Sequence, residues 1–447
     1  MRLHVAPTER LLMDPSRIVL LGAPPGAEIT LEATLTDRGG QAWSSRGVYF
    51  ADSTGSVDPS RSASLAGTYR GLDGEALFWS MQPATLLELD AAGPSMDEID
   101  SPRRYPDFDA FDASSEMRLK PVDVAIRARI TGDLAEAHPA VLEAIQTVRL
   151  VGKRVERTLV SDGEVRGVLF EAPGEGPHPL ALVVAGSSGG AWETKASLLA
   201  SYGITSFAVA WFNYPGRPDH HREIPMEYFS RAMRWLGQRY GERKVAVLGA
   251  SRGGEAVLLI ASLFPDQVSA VVAEVPSNMV FSGFDFSTWS SVPGWLLDGK
   301  PLPYVGFENY GLRDSGLWAG SKEVRQNFLH HMAAHDFDDP RWIQVERIEA
   351  PILLVSGTAD AMWPCSIASQ RLVDRLHAKG FAYPVEHLEY AGAGHLLINP
   401  MLVSGRADRT EVNPMGFAVS IGGVPGLNAK AQSDAFLKTV EFLKLHA

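Results

Sequence analysis

The stretch KVAVLGASRGGEAVLLIAS (residues 244–262) decides the fold. After Lys244, Val245–Leu248 form an unbroken apolar run, too short for a helix and of the kind a strand buried on both faces requires. A cluster of small residues follows, Gly249-Ala250-Ser251-Arg252-Gly253, and then a run with apolar residues at helical spacing. A strand that turns straight into a helix around G-x-S-x-G is a nucleophile elbow. The turn holds Ser251 in a strained conformation that lifts its hydroxyl above the end of the sheet. Gly249 and Gly253 flank it because side chains there would strike the neighbouring strand and helix. The start of the helix adds a partial positive charge and free backbone N–H groups near the serine, that of Arg252 first. The competing reading is a turn of small residues needed only for tight packing, and the flanking chain decides between the two.

Outward from the elbow, LALVVAG (180–186), SFAVAWF (206–212), VSAVVAE (268–274) and PILLVSG (351–357) repeat the buried-strand signature. Between and after them, MEYFSRAMRWLGQRY (226–240), CSIASQRLVDRLHAKG (365–380) and NAKAQSDAFLKTVEFLKLHA (428–447) carry helical periodicity. Short buried strands alternating with amphipathic helices predict a mostly parallel sheet covered on both faces. With the elbow, this is an α/β-hydrolase domain over residues 151–447. In that fold an acid and then a histidine follow the nucleophile, each in a loop just past a strand. PILLVSGTADAMWP supplies Asp360, and VEHLEYAGAGHLL supplies His395. His395 would act as general base toward Ser251 and then as general acid, while Asp360 would fix the imidazole tautomer. Separately, Asp360 reads as a turn aspartate and His395 as a loop histidine; together, in fold order, they read as a catalytic triad. An oxyanion hole needs two backbone donors. Arg252 N–H is one, and the Gly-rich turn in ALVVAGSSGGAWE offers Ser188 or Gly189 as the other.

The chain before residue 151 has a different rhythm. IVLLGA, EITLEATLTD, QAWSSRGVYFAD and ALFWSMQ alternate apolar and polar residues between Gly, Pro and Asp turn signals, which predicts an antiparallel β-sandwich over residues 1–150. An acidic, Pro-containing stretch over residues 88–116 has neither period and reads as a long loop. VDVAIRARITG (122–132) then resumes the strand pattern. No nucleophile, base and acid occur here in workable order.

These motifs in combination resemble the acyl-CoA thioesterase and bile acid-CoA:amino acid N-acyltransferase family. The likeness rests on EITLEATLTDRGGQAW and GVYFADSTGSVDPSRSASLAGTYRGLDGEALFWSM in the first half. In the second half it rests on RGVLFEAPGEGPHP, SLLASYGI, IPMEYFSRAMRWL, GASRGGE, PILLVSGTADAMWP and AGAGHLLINP. The resemblance implies an immunoglobulin-like N-terminal domain before the α/β-hydrolase domain. It also implies a triad of Ser251, Asp360 and His395, and an acyl thioester substrate carried by coenzyme A or a carrier protein. It implies no cofactor. The transferase branch of the family is known for cysteine at the nucleophile, so Ser251 favours hydrolysis. Passing the acyl group to an amine or alcohol acceptor is the alternative, and a non-catalytic acyl-binding protein a third. GSSGG stands where relatives have a run of glycines, and the stretch over residues 88–116 is longer than usual.

The remaining features bound the function. A formal net charge of −12 argues against nucleic acid as partner, which calls for a basic face. No apolar run reaches the length of a bilayer span or a signal-peptide core. The single cysteine, Cys365, excludes an intrachain disulfide framework and suits a cytoplasmic location. A buried helix-start position is expected for it rather than a catalytic one. His331 and His335 stand one helical turn apart, but without an H-E-x-x-H pattern or a third ligand they predict a solvated face and no metal. The aromatic segment from Ser277 to Leu312 is expected to line an acyl pocket or form a lid. Arg252 is close in sequence to the nucleophile, and its side chain is expected to face an acceptor carboxylate, a coenzyme phosphate or solvent.

Overall fold

The computed structural model describes residues 1–37, 40, 42–83, 119–285, 290–306, 325–326, 328–332, 337–398, 410–412 and 418–447. The chain forms two compact units, and the main division between them falls between Leu150 and Val151.

The N-terminal unit is built on a seven-stranded, mostly antiparallel sheet. Glu28–Thr36 pairs with Ala42–Phe50 on one side and Val122–Thr131 on the other, with register Ile29↔Ile130, Leu31↔Ala128 and Ala33↔Ile126. These residues are buried while Glu28, Glu32 and Arg129 alternate with them, so the period of two becomes one core face. The short edge strand Glu9–Leu11 joins Val141–Arg149 in parallel. A separate ribbon pairs Arg2–Ala6 with Arg17–Leu21. One expected strand is different: within ALFWSMQ, Ala76–Trp79 forms a single helical turn. Asp73 Oδ1 accepts the Glu75 N–H at 2.9 Å and Ala76 O accepts that of Ser80 at 3.0 Å. A local turn, closed by the Asp73 side chain on the N–H two residues on, therefore overrides the apparent alternation. The stretch over residues 88–116 lies outside the described residues.

The C-terminal unit holds an eight-stranded sheet. Its strands are β1 (Glu156–Asp162), β2 (Val165–Glu171), β3 (Leu180–Val184), β4 (Thr205–Val209), β5 (Val245–Ala250), β6 (Val268–Glu274), β7 (Ile352–Gly357) and β8 (Val385–Tyr390), in spatial order 1-2-4-3-5-6-7-8. The β1–β2 and β2–β4 pairs are antiparallel and the rest parallel. Every residue of β3, β4, β5 and β7 is buried. Coverage comes from α1 (Glu193–Ser201), α2 (Met226–Arg239), α3 (Arg252–Leu263), α4 (Cys365–Ala378) and α5 (Pro425–His446). The carboxyl ends of β3, β5, β6, β7 and β8 lie along one edge, where open α/β sheets place their sites. Among the described residues no helix is long and apolar enough to cross a membrane.

Candidate active site

The elbow is strained in the way its sequence demands. Ser251, between β5 and α3, has φ 57° and ψ −119°, a region that costs a non-glycine residue of order 1–3 kcal/mol. Two backbone bonds hold it: its N–H donates to Glu274 O at the end of β6 at 2.9 Å, and its carbonyl accepts the Glu255 N–H at 3.1 Å. A Cβ on Gly249 would lie 2.3 Å from Gly253 O, and one on Gly253 would lie 2.4 Å from Val184 O. Both glycines are required by contact.

His395 opens a short 3₁₀ turn, His395–Ile398, beyond β8. Its Nε2 stands 3.0 Å from Ser251 Oγ and its Nδ1 2.7 Å from Asp360 Oδ2. Asp360, just past β7, divides its two oxygens. Oδ2 faces the imidazole, while Oδ1 accepts the backbone N–H groups of Met362 at 2.8 Å and Trp363 at 3.2 Å. Asp360 is 2% exposed and His395 4%. The arrangement fixes the carboxylate by its backbone contacts and the ring by the carboxylate. It leaves one imidazole nitrogen to accept the serine proton.

Beside the serine, the chain after β3 makes a tight turn in which Gly186 O accepts the Gly189 N–H at 3.1 Å. Asn213 Nδ2 donates to Ser188 O at 3.0 Å. A Cβ on Gly186 would stand 3.4 Å from Ser251 Cβ, so the first residues of this turn lie against Ser251. Of the two expected donors, Gly189 already donates within its own turn.

The Arg252 side chain faces neither solvent nor an open pocket, contrary to expectation. It is 1% exposed, and Nη1 donates to Glu255 Oε2 at 2.8 Å and to Phe281 O at 3.4 Å. Glu255 Oε1 accepts from the Trp295 indole at 2.8 Å. Burial pushes the Glu255 carboxyl up from the usual range, against the pull of Arg252 and these donors. Trp295 in turn stacks on Trp211, with centroids 5.0 Å apart. This part of the aromatic segment is therefore a buried brace against α3. Farther along, Phe281, Phe328 and Trp363 make edge-to-face contacts at 4.6 and 5.3 Å, and Trp363 meets the His395 ring at 6.0 Å. With Pro276, Met332 and Ala368 they close around a space of about 10 Å³, room for no more than a single water. Residues 286–289 and 307–312 of the segment lie outside the described ones.

Cys365 is the first residue of α4, fully buried, with Sγ 3.5 Å from Gly357 O. Burial, then the nearby Asp360 charge, pushes its thiol well above the ordinary value. His335 lies outside the described residues, and among those described no group of three His, Cys, Asp or Glu side chains could hold a metal ion.

One part of the site escapes sequence reasoning. Ile421 O accepts the N–H of His395 at 2.8 Å and that of Ala361 at 3.4 Å, while Gly422 bridges to Asp360. Gly394 N–H donates to Asn428 Oδ1 at 2.7 Å. The peptide over residues 421–423 thus splints the acid loop to the histidine turn. A signal exists in IGGVPG (421–426), two glycines just before a helix start. Both have positive φ, and a Cβ on Gly422 would lie 2.0 Å from Ala359 O.

Two family descriptions match the chain: "BAAT / Acyl-CoA thioester hydrolase C terminal" over residues 224–447 and "Acyl-CoA thioester hydrolase/BAAT N-terminal region" over residues 13–104. Similar proteins include a peroxisomal succinyl-coenzyme A thioesterase of Mus musculus, 27% identical over 99% of this chain and 96% of the relative. Acyl-coenzyme A thioesterase 1 of Homo sapiens is 28% identical over 97% of this chain and 93% of its own. Acyl-coenzyme A amino acid N-acyltransferase 2 of Mus musculus is 26% identical over 100% of this chain and 97% of its own.

Proposed function

The chain belongs to the acyl-CoA thioester hydrolase/BAAT family, and from that premise we propose that it hydrolyses an acyl thioester, carried by coenzyme A or a carrier protein, through an acyl-serine on Ser251. The observation that carries this reading is the hydrogen-bonded line from Ser251 Oγ through the His395 ring to Asp360 Oδ2, at 3.0 and 2.7 Å.

His395 Nε2 takes the Ser251 proton as Oγ attacks the thioester carbonyl, and Asp360 stabilises the imidazolium that forms. The oxyanion is held by Arg252 N–H at the start of α3 and by an amide of the turn after β3, Ser188 or its neighbour Ser187. The thiol leaves with the proton carried by His395. His395 then deprotonates a water that attacks the acyl-serine and restores the hydroxyl.

Water, rather than an amino acid, is the acceptor we assign. Aminolysis by a free amino acid calls for a cation facing its carboxylate. Arg252, the cation nearest the nucleophile, is instead engaged by Glu255 at 2.8 Å. We also read the N-terminal unit as an immunoglobulin-like sandwich, with residues 1–150 and 151–447 as its two domains. The single buried thiol supports a place in a reducing cytoplasm.

The test is thiol release from acyl-CoA substrates of graded chain length, with and without amino acid acceptors, by the whole protein and by Ser251→Ala. The reading expects free acid as the main product and no turnover by the variant. Near-normal turnover by Ser251→Ala, or mainly amide product on adding the acceptor, would overturn it.

A further inference from the structure

Lys195, in α1, is only 1% exposed, and a lysine so placed is rare unless paired. Its ammonium has two partners on two different elements. It donates to Glu274 Oε1 at 2.6 Å and to Ile398 O at 3.3 Å, and sits 5.4 Å from the Trp192 ring and 5.6 Å from that of Phe436. Each partner adjoins the reacting groups. Glu274 ends β6, and its carbonyl is the acceptor that holds the Ser251 N–H. Ile398 ends the turn that His395 begins. The last carbonyls of such a turn have no partner within it. Here Leu396 O is met by Gln432 Nε2 at 2.8 Å, and Ile398 O by Lys195.

We propose that Lys195 is a positioning residue of this site: its ammonium clips the histidine turn to the strand end that anchors the nucleophile, and so sets the Ser251–His395 separation. The inference rests on the hydrolytic reading above. Stability alone does not call for this pair, because a buried ion pair exchanged for apolar residues of similar volume is often neutral or stabilising. The particular contribution of Lys195 is the link to Ile398 O, which an apolar residue cannot make. The Glu274 carboxyl, pushed up by burial and drawn back by Lys195, holds the ammonium at the depth where it reaches that carbonyl.

The experiment compares wild type, Lys195→Met, the double variant Lys195→Met/Glu274→Leu and Ser251→Ala. It measures steady-state thiol release from an acyl-CoA well below each unfolding midpoint, and the midpoints themselves. Lys195→Met leaves a buried carboxylate uncompensated, so its midpoint falls; the double variant removes that charge and recovers it. A positioning role predicts that kcat stays reduced in both, by about 10²-fold for a displacement of roughly 1 Å, with KM within about twofold. A double variant that turns over at the wild-type kcat while Ser251→Ala is inactive would overturn the role of Lys195 and leave the triad standing. Activity in Ser251→Ala would instead remove the hydrolytic reading itself. If Lys195→Met does not fold, the double variant carries the test.

Discussion

Gly253→Ala is a sharp probe of how the elbow is built, because the three atoms a methyl group there would meet first are all backbone. A Cβ there would stand 2.4 Å from Val184 O, 2.6 Å from Ala185 O and 3.0 Å from Ala185 C. Non-bonded heavy atoms settle at about 3.5 Å or more, so one side must retreat by roughly 1 Å. All three atoms are backbone, so no side chain can swing aside. The retreat falls either on the first turn of α3, which supplies Arg252 N–H, or on the end of β3, which continues into the turn against Ser251. Overpacking of this kind costs about 1–3 kcal/mol of stability. A 1 Å error in the reacting geometry costs about 10²-fold in rate. The expected variant is folded, with a lower urea midpoint and a kcat/KM for thioester cleavage reduced by about two orders of magnitude. Wild-type kcat and midpoint together would show that the turn accommodates a methyl group, and that the contact argument for this glycine is wrong.

Asp360→Asn should preserve the fold yet lower kcat by about 10⁴-fold, because the amide favours the wrong imidazole tautomer; only a slight loss would place the true acid elsewhere. Glu255→Leu leaves the Arg252 guanidinium buried without its carboxylate and should cost about 3–5 kcal/mol in urea unfolding, so an unchanged midpoint would count against the ion pair. Since burial raises the Cys365 thiol well above its ordinary value, native protein should resist iodoacetamide at pH 8 and react only when unfolded. Rapid labelling of the native state would contradict the burial described for this residue.

Much of this site is legible in the chain because its chemistry is local. The elbow needs glycines at two fixed offsets from Ser251, and the acid and histidine each follow a strand written as a short apolar run. The N-terminal sheet announces itself by its period of two, although Ala76–Trp79 coils into a helical turn just after Asp73 turns the chain by accepting the Glu75 N–H. What sequence cannot display is the partner of a buried charge. Arg252 looks available until its Nη1 is seen on Glu255 Oε2, with the other carboxylate oxygen held by the Trp295 indole from 40 residues downstream of Glu255. The splint at residues 421–423 escapes for the same reason. Its contacts are backbone to backbone, so no side-chain type marks them, and only the two adjacent glycines hint at a close approach.

That splint also sets when in its life the protein acquires a site. A ribosome delivers Ser251, Asp360 and His395 well before Ile421, and domains generally fold as they are delivered. A chain halted between His395 and Ile421 carries Ser251, Asp360 and His395 but lacks the carbonyl that receives the His395 and Ala361 amides. Truncated products should therefore be chemically silent toward serine-directed phosphonate probes, while the finished chain reacts. Nascent chains labelled equally well before and after residue 421 emerges would refute this ordering. Synthesis itself would then act as the safety catch, with the Ser251 hydroxyl armed only once the peptide at Ile421 and Gly422 has joined the acid loop to the histidine turn.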